Sequence, residues 1–389
     1  MRLGYVLALI LFTTTPPSFG RLVNVTAYSA RGDGHSDDTT AINDAVSASR
    51  VGDTIYFPAG FYHISYPGIL LLHSRTYRGS DHGRSVLIGG GGYALSSSQY
   101  DKGYDITIEY LTFDGGGLRF DGDNVPVRHI IVAHCTFRNI VTNNANWTTH
   151  MGIFIGPGAE YSKFIHNHFQ NIFTDGKYDL QDRDATGIFG YGLSRSVIAE
   201  NVFDMVNEGI HIFFDRTEGH DVSIVRNRLT RVHRIAIECQ NSHLDRLIVE
   251  GNMVSHPLYP YWLTYGISIA ASSVTGNGIL IRNNTVLADT ALDLSKASGN
   301  YYPYGIEAWG TNTVVRGNRI IGLWGIGIGI GAARHMLVEK NLICGESVKH
   351  GKAIDEYYGP QIGTVRKDNI IIAECPSSLL ALYPMRSNE

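Results

Sequence analysis

A short phrase recurs along this 389-residue chain: an apolar alternation, then asparagine, one further residue and another apolar residue. It reads FIHNHF (164–169), VIAENVF (197–203), SIVRNRL (223–229), LIVEGNMV (247–254), LIRNNTV (280–286), VVRGNRI (314–320), LVEKNLI (337–343) and TVRKDNII (364–371). The aligned asparagines are Asn167, Asn201, Asn227, Asn252, Asn284, Asn318, Asn341 and Asn369, at successive spacings of 34, 26, 25, 32, 34, 23 and 28 residues. Two earlier copies, YLTF (110–113) and HCTF (134–137), put Leu111 and Cys135 at the asparagine position. Period-2 alternation marks each phrase as a strand, and a constant phrase at unequal spacing means loops of different length on a constant coil. One coil cannot bury its own apolar face, so about ten of them must stack into a continuous core. Asparagine suits the bend after each strand because it tolerates the left-handed region and bonds local backbone, and stacked copies can bond one another as a ladder. The asparagines are therefore structural.

Between successive asparagine phrases lies a second strand of the form Gly-Ile-x-Ile: HMGIFIG (150–156), ATGIFGY (185–191), NEGIHIFFD (207–215), HRIAIECQ (233–240), YGISIAA (265–271), YGIEAWG (304–310), WGIGIGI (324–330) and KAIDEYY (352–358). Alternation sends the isoleucines inward and the residues between them outward. The central outward column then runs Phe154, Phe189, His211, Ala236, Ser268, Glu307, Gly327, Asp355, and a second column, two residues on, runs Gly156, Tyr191, Phe213, Glu238, Ala270, Trp309, Gly329, Tyr357.

Composition sets the class of partner. A formal net charge of -4 gives no basic field for phosphates, which excludes a nucleic-acid binder. Residues 1–20 carry one basic residue, an apolar run and a small, polar end, the pattern of a secretory signal cleaved near Gly20. That run is too short to span a bilayer, and no other segment approaches the ~20 apolar residues a span needs. The expected location is secreted or periplasmic, with one domain over 21–389: first strands and cap at 21–65, coils over 105–373, and a tail at 374–389. Of the four cysteines, Cys344 and Cys375 are the pair closest in sequence, and Cys135 and Cys239 complete the set. Buried thiols and disulfides both remain open for them.

The segments VNVTAYSARGDGHSDDTTAINDAVSAS (23–49) and TIYFPAGFYHIS (54–65) resemble the opening of the pectate-lyase-like superfamily. Gly32-Asp33-Gly34, Asp37-Asp38-Thr39, Ala41-Ile42 and Phe57-Pro58-Ala59-Gly60 carry the likeness. The resemblance implies an all-β, right-handed, single-stranded parallel β-helix of about ten coils, with a capping helix over 38–49 that lays Ala41, Ile42, Ala45 and Val46 on one stripe. It implies a polysaccharide partner, while the superfamily's hydrolases, lyases, epimerases and binding proteins leave the reaction open. Of the Asn-Thr-Asp, Asp-Asp, Gly-His-Gly and Arg-Ile-Lys motifs of polygalacturonases the coils carry only Gly219-His220-Asp221, in a loop before an asparagine phrase, and the Asp-Pro-His motif of alginate epimerases is missing.

The outer face supplies the candidates. His211, Asp215, Arg234, Glu238 and Glu307 are the candidate catalytic groups, and Tyr191, Phe213, Gln240 and Trp309 the candidate sugar-binding ones. Asp215 and Glu238 fall one coil and about two residues apart, roughly 8 Å between Cα atoms, which matches the carboxyl spacing of an inverting glycosidase. Arg234 is placed to hold a substrate carboxylate or to pair with Glu238 four residues along the strand. Hydrolysis of a polysaccharide is the leading expectation, then elimination or C5-epimerisation of a uronic-acid polymer, then glycan binding without catalysis. No metal or other cofactor is expected at these residues; Asp179, Asp182 and Asp184 are the calcium alternative.

Overall fold

The structure is a computed structural model that describes residues 20–81, 84–97, 104–120, 127–142, 151–174, 185–213, 219–240, 244–255, 264–270, 276–288 and 303–381. Its strands stack in parallel register as a right-handed β-helix. One sheet holds thirteen strands, from Leu22–Asn24 to Val365–Lys367, each paired to the strand one coil on. Ten of them carry the asparagine phrase or its early copies. The other three, Leu22–Asn24, Thr54–Phe57 and Arg75–Gly79, precede the first phrase, where no repeat announces them. The strands after the bend pair in series to form the second wall, and the pairs around Ala159–Glu160, Leu193–Ser194, Gly219–His220 and Leu244–Asp245 form a short third one.

The asparagines stack inside as a ladder. The backbone N–H and side-chain amide of Asn201 both donate to Asn227 Oδ1, at 3.0 and 2.9 Å, and the amide also donates to the Phe164 carbonyl at 2.9 Å. Asn227 repeats this toward Asn252 and the Ile198 carbonyl, and the pattern runs from Asn167 to Asn369. Cys135 enters it by donating its N–H to Asn167 Oδ1 at 3.0 Å. The left-handed residue, however, is the one before each asparagine: His166, Glu200, Arg226, Asn283, Lys340 and Asp368 have φ between 54° and 57°, and Gly251 and Gly317 have φ of 65° and 64°. Asparagine is selected here for its amide, which satisfies buried backbone across two coils, rather than for its own tolerance of that region.

Beside the ladder the core is built of like on like. Phe113, Phe137, Phe169 and Phe203 stack with centroids 4.8, 4.9 and 4.6 Å apart, and register continues the column through Leu229, Val254, Val286, Ile320 and Ile343. A helix at Thr39–Ala48 packs Ile42, Ala45 and Val46 into the same core. Cys344 and Cys375 form a disulfide, whereas Cys135 and Cys239 are free and buried. No helix among the described residues is long and apolar enough to cross a membrane.

Candidate active site

Six strands of the second wall build the outer face: Thr186–Tyr191, Val202–Phe213, Arg228–Gln240, Tyr265–Ala270, Tyr304–Thr311 and Ile326–Arg334. Register runs Phe154, Phe189, His211, Glu238, Ser268, Glu307, Gly329, Asp355. Glu238 thus replaces Ala236, and Gly329 replaces Gly327, in the column expected from the sequence. For Glu238 the cause is an irregularity that sets Val206 opposite Val232 but Glu208 opposite Ile235, so Ile210 meets Ile237 and Ala236 takes the place of a glycine. The neighbouring column is Tyr191, Phe213, Gln240, Ala270.

Glu238 therefore stands directly across from His211 on the adjacent coil, not two residues to the side. His211 Nδ1 lies 3.6 Å from Glu238 Oε2 and donates to Glu208 Oε2 at 3.0 Å. Arg234 pairs with Glu208 at 2.6 Å, not with Glu238. Thr186 Oγ1 donates to Glu208 Oε2 at 3.2 Å, and Gln240 donates its side-chain amide to Glu238 Oε1. Glu238 was expected to face solvent; its side chain is only 4% exposed and that of Glu208 1%.

Strict alternation places Glu208 inward with Ile210, which is why the sequence reading missed it. Gly209 breaks the alternation. A Cβ there would sit 2.3 Å from the Leu229 side chain, so this glycine faces the core next to an inward isoleucine and releases Glu208 to the outer side. The glycine was the available signal.

The electrostatics follow from burial and pairing. Burial opposes ionisation of Glu208, but Arg234, His211 and Thr186 outweigh it and hold its carboxyl below the ordinary range. Burial likewise opposes charge on His211, and the hydrogen bond and charge of Glu208, aided by Glu238, outweigh it and raise the imidazole. For Glu238 burial wins: desolvation, with the charge of Glu208, lifts its carboxyl above the usual range against the pull of His211 and Arg234.

Two coils on, Glu307 accepts hydrogen bonds from the Ser268 and Tyr357 hydroxyls and from Trp309 Nε1, the last at 3.1 Å. Burial and the adjacent Glu307 push the Tyr357 phenol upward. Trp309 lies over Gly331, where a Cβ would come within 2.1 Å of the indole. Aromatic rings flank both carboxyl centres. Phe154, Phe189, Tyr191 and Phe213 form one edge-packed and stacked group against His211, and Tyr265, Tyr304, Tyr357, Trp309 and Tyr358 form the other. The structure thus brings His211, Arg234, Glu238 and Gln240 into one cluster, and Glu307 and Trp309 into a second. Asp215, Asp179, Asp182 and Asp184, and most of the loops at 141–149, 173–184 and 255–264, lie outside the described residues. One nitrogen of His211 and one oxygen each of Glu208 and Glu238 lie within 4.8 Å of one another, a metal-capable grouping where the sequence reading expected no ligands.

Comparison with known proteins agrees with the architecture. Alginate lyase 7 of Azotobacter vinelandii is 34% identical over 114 residues, a match that spans 26% of this chain and 13% of that protein. The A-module of the mannuronan C-5 epimerase AlgE4 of Azotobacter vinelandii superposes over 90% of this chain and 96% of its own, with TM-score 0.55 and 16% identity. The Family 28 exopolygalacturonase of Yersinia enterocolitica superposes over 91% of this chain and 78% of its own, with TM-score 0.55 and 13% identity. At these identities the structural likeness is one of fold. The family model of rhamnogalacturonase A/epimerase, pectate lyase-like, matches residues 22–224, more than half of the chain, and the protein belongs to that family.

Proposed function

We propose that the protein is a secreted polysaccharide hydrolase whose cleavage site lies on the outer column between Glu238 and Glu307. The observation that carries the reading is their register: both project from one column with only Ser268 between them. Two strand steps separate their Cα atoms by about 9–10 Å. That suits a carboxyl pair standing on opposite sides of a glycosidic bond with room for water, the inverting arrangement, and exceeds the spacing of a retaining pair. Glu238 Oε2 is buried with no hydrogen-bond partner, so it is the oxygen free to carry a proton to the leaving sugar oxygen. Glu307, accepting from three donors, takes a proton from the attacking water as that water's oxygen bonds to the anomeric carbon. Tyr191 and Phe213 on one side, half-buried, and Trp309 and the exposed Tyr358 on the other present faces for sugar rings.

A second reading, elimination or epimerisation of a uronic-acid polymer, draws on the likeness to Alginate lyase 7 and on Arg234 beside the centre. Against it, Arg234 is already committed to Glu208. The test is incubation with a panel of neutral and uronic-acid polysaccharides, reading both reducing ends and unsaturated-uronide absorbance. Reducing ends alone are expected. Both signals together would move the protein to elimination, a changed uronic-acid configuration by proton NMR without either signal would move it to epimerisation, and retained binding with none of the three would make it a glycan-binding protein.

A further inference from the structure

We infer that Glu208, His211 and Glu238 form a binding site for a divalent transition cation of the zinc class. The three groups come from two adjacent coils, and their inner atoms converge: His211 Nδ1 is 3.0 Å from Glu208 Oε2 and 3.6 Å from Glu238 Oε2. A cation with ligands at about 2.0–2.2 Å in tetrahedral geometry sets its donor atoms roughly 3.3–3.6 Å apart; the two distances to the imidazole are close to that, and the two carboxylate oxygens, within 4.8 Å of one another, would draw together to seat it.

The outer oxygens are held as second contacts of a metal site usually are. Arg234 donates to Glu208 Oε1 at 2.6 Å and Gln240 donates to Glu238 Oε1, so each carboxylate is oriented by a donor on one oxygen and turns the other toward the imidazole. An independent observation points to a missing ligand. Glu238 Oε2, on a side chain only 4% exposed, is buried without a hydrogen-bond partner and faces His211. A buried oxygen of that kind costs free energy until something meets it.

The donor set selects the cation. Calcium and magnesium prefer oxygen cages, and an imidazole nitrogen with two carboxylates suits zinc and its neighbours. With a neutral imidazole, the two carboxylates and one guanidinium leave a single negative charge for a dication to meet. The site goes beyond the hydrolytic reading while sharing Glu238 with it. A cation bound there takes the place of the proton, so the zinc-loaded chain is expected not to cleave.

Calorimetric titration of the chelator-stripped full chain tests the inference with no polysaccharide present, so its failure and the failure of the hydrolytic reading are separable. Zinc chloride should reveal one site per chain that calcium and magnesium do not fill. His211→Gln and Glu238→Gln should each weaken that site by at least ~100-fold. Gln240→Ala, which removes no ligand, should weaken it by about 10-fold or more and supplies the test if a ligand variant fails to fold, which melting curves will show. Zinc binding unchanged in a folded His211→Gln or Gln240→Ala chain, or calcium bound more tightly than zinc, would overturn the site.

Discussion

Replacing Glu238 with glutamine is expected to lower turnover by at least ~10²-fold while polysaccharide binding persists, the scale of losing a general acid. Glutamine keeps the shape and an oxygen for the Gln240 amide, but it carries no transferable proton. The residue is buried, so melting temperature must be read with the rate. A matched variant, Glu208→Gln, separates chemistry from architecture. It leaves the Arg234 guanidinium and the His211 imidazole without their counter-charge, and should cost about 2–3 kcal/mol of stability, less than a fully buried pair because Arg234 is 19% exposed. Turnover measured well below both melting temperatures should then fall in Glu238→Gln out of proportion to any loss of stability. Full activity in that variant would remove Glu238 from the mechanism.

The second large effect concerns the fold. Asn227→Leu should destabilise the protein by about 2–4 kcal/mol, since the Asn201 backbone N–H and the Ile198 carbonyl both lose buried partners that leucine cannot replace. The same change at Asn369, half-buried at the last rung, should cost clearly less. Chemical denaturation of the two variants checks this, and equal small effects would show that the ladder is not what holds the coils together.

Much of this architecture is legible in the primary structure because it repeats. An asparagine at eight of the bends and inward isoleucines on the second strands are a signal no loop insertion erases, and ten rungs of the first sheet follow from it together with the two early copies. The three N-terminal strands lie outside the repeat: Leu22–Asn24 and Thr54–Phe57 fall in the stretch that resembles the family's opening, and only Arg75–Gly79 has no signal in the sequence. The site was legible in its residue types and not in its register. His211, Arg234, Glu238, Gln240, Glu307 and Trp309 are all on the outer face, but matching Gly209-Ile210 to Arg234-Ile235 slid one coil by two residues and moved Glu238 off the His211 column. The extra residue between Val232 and Ile235 accounts for one of those two residues and the match of Gly209 to Arg234, where Ala236 stands opposite, for the other; such an irregularity leaves no periodic trace. Glu208 was lost to the same assumption of strict alternation, which Gly209 breaks. With Glu208 in place, Arg234 changes from a catalytic candidate, placed to hold a substrate carboxylate or to pair with Glu238, into the partner of a buried carboxylate.

The most direct test of the central claim, hydrolysis across the Glu238–Glu307 pair, is proton NMR of the first product released from a polysaccharide that the enzyme cleaves. Strand positions whose Cα atoms stand about 9–10 Å apart, leaving room for a water between the carboxyls, predict that the new reducing end first appears in the anomeric configuration opposite to that of the bond cleaved, before mutarotation. No olefinic signal should accompany it. A retained anomer, or an olefinic proton at the new non-reducing end, would contradict the assignment.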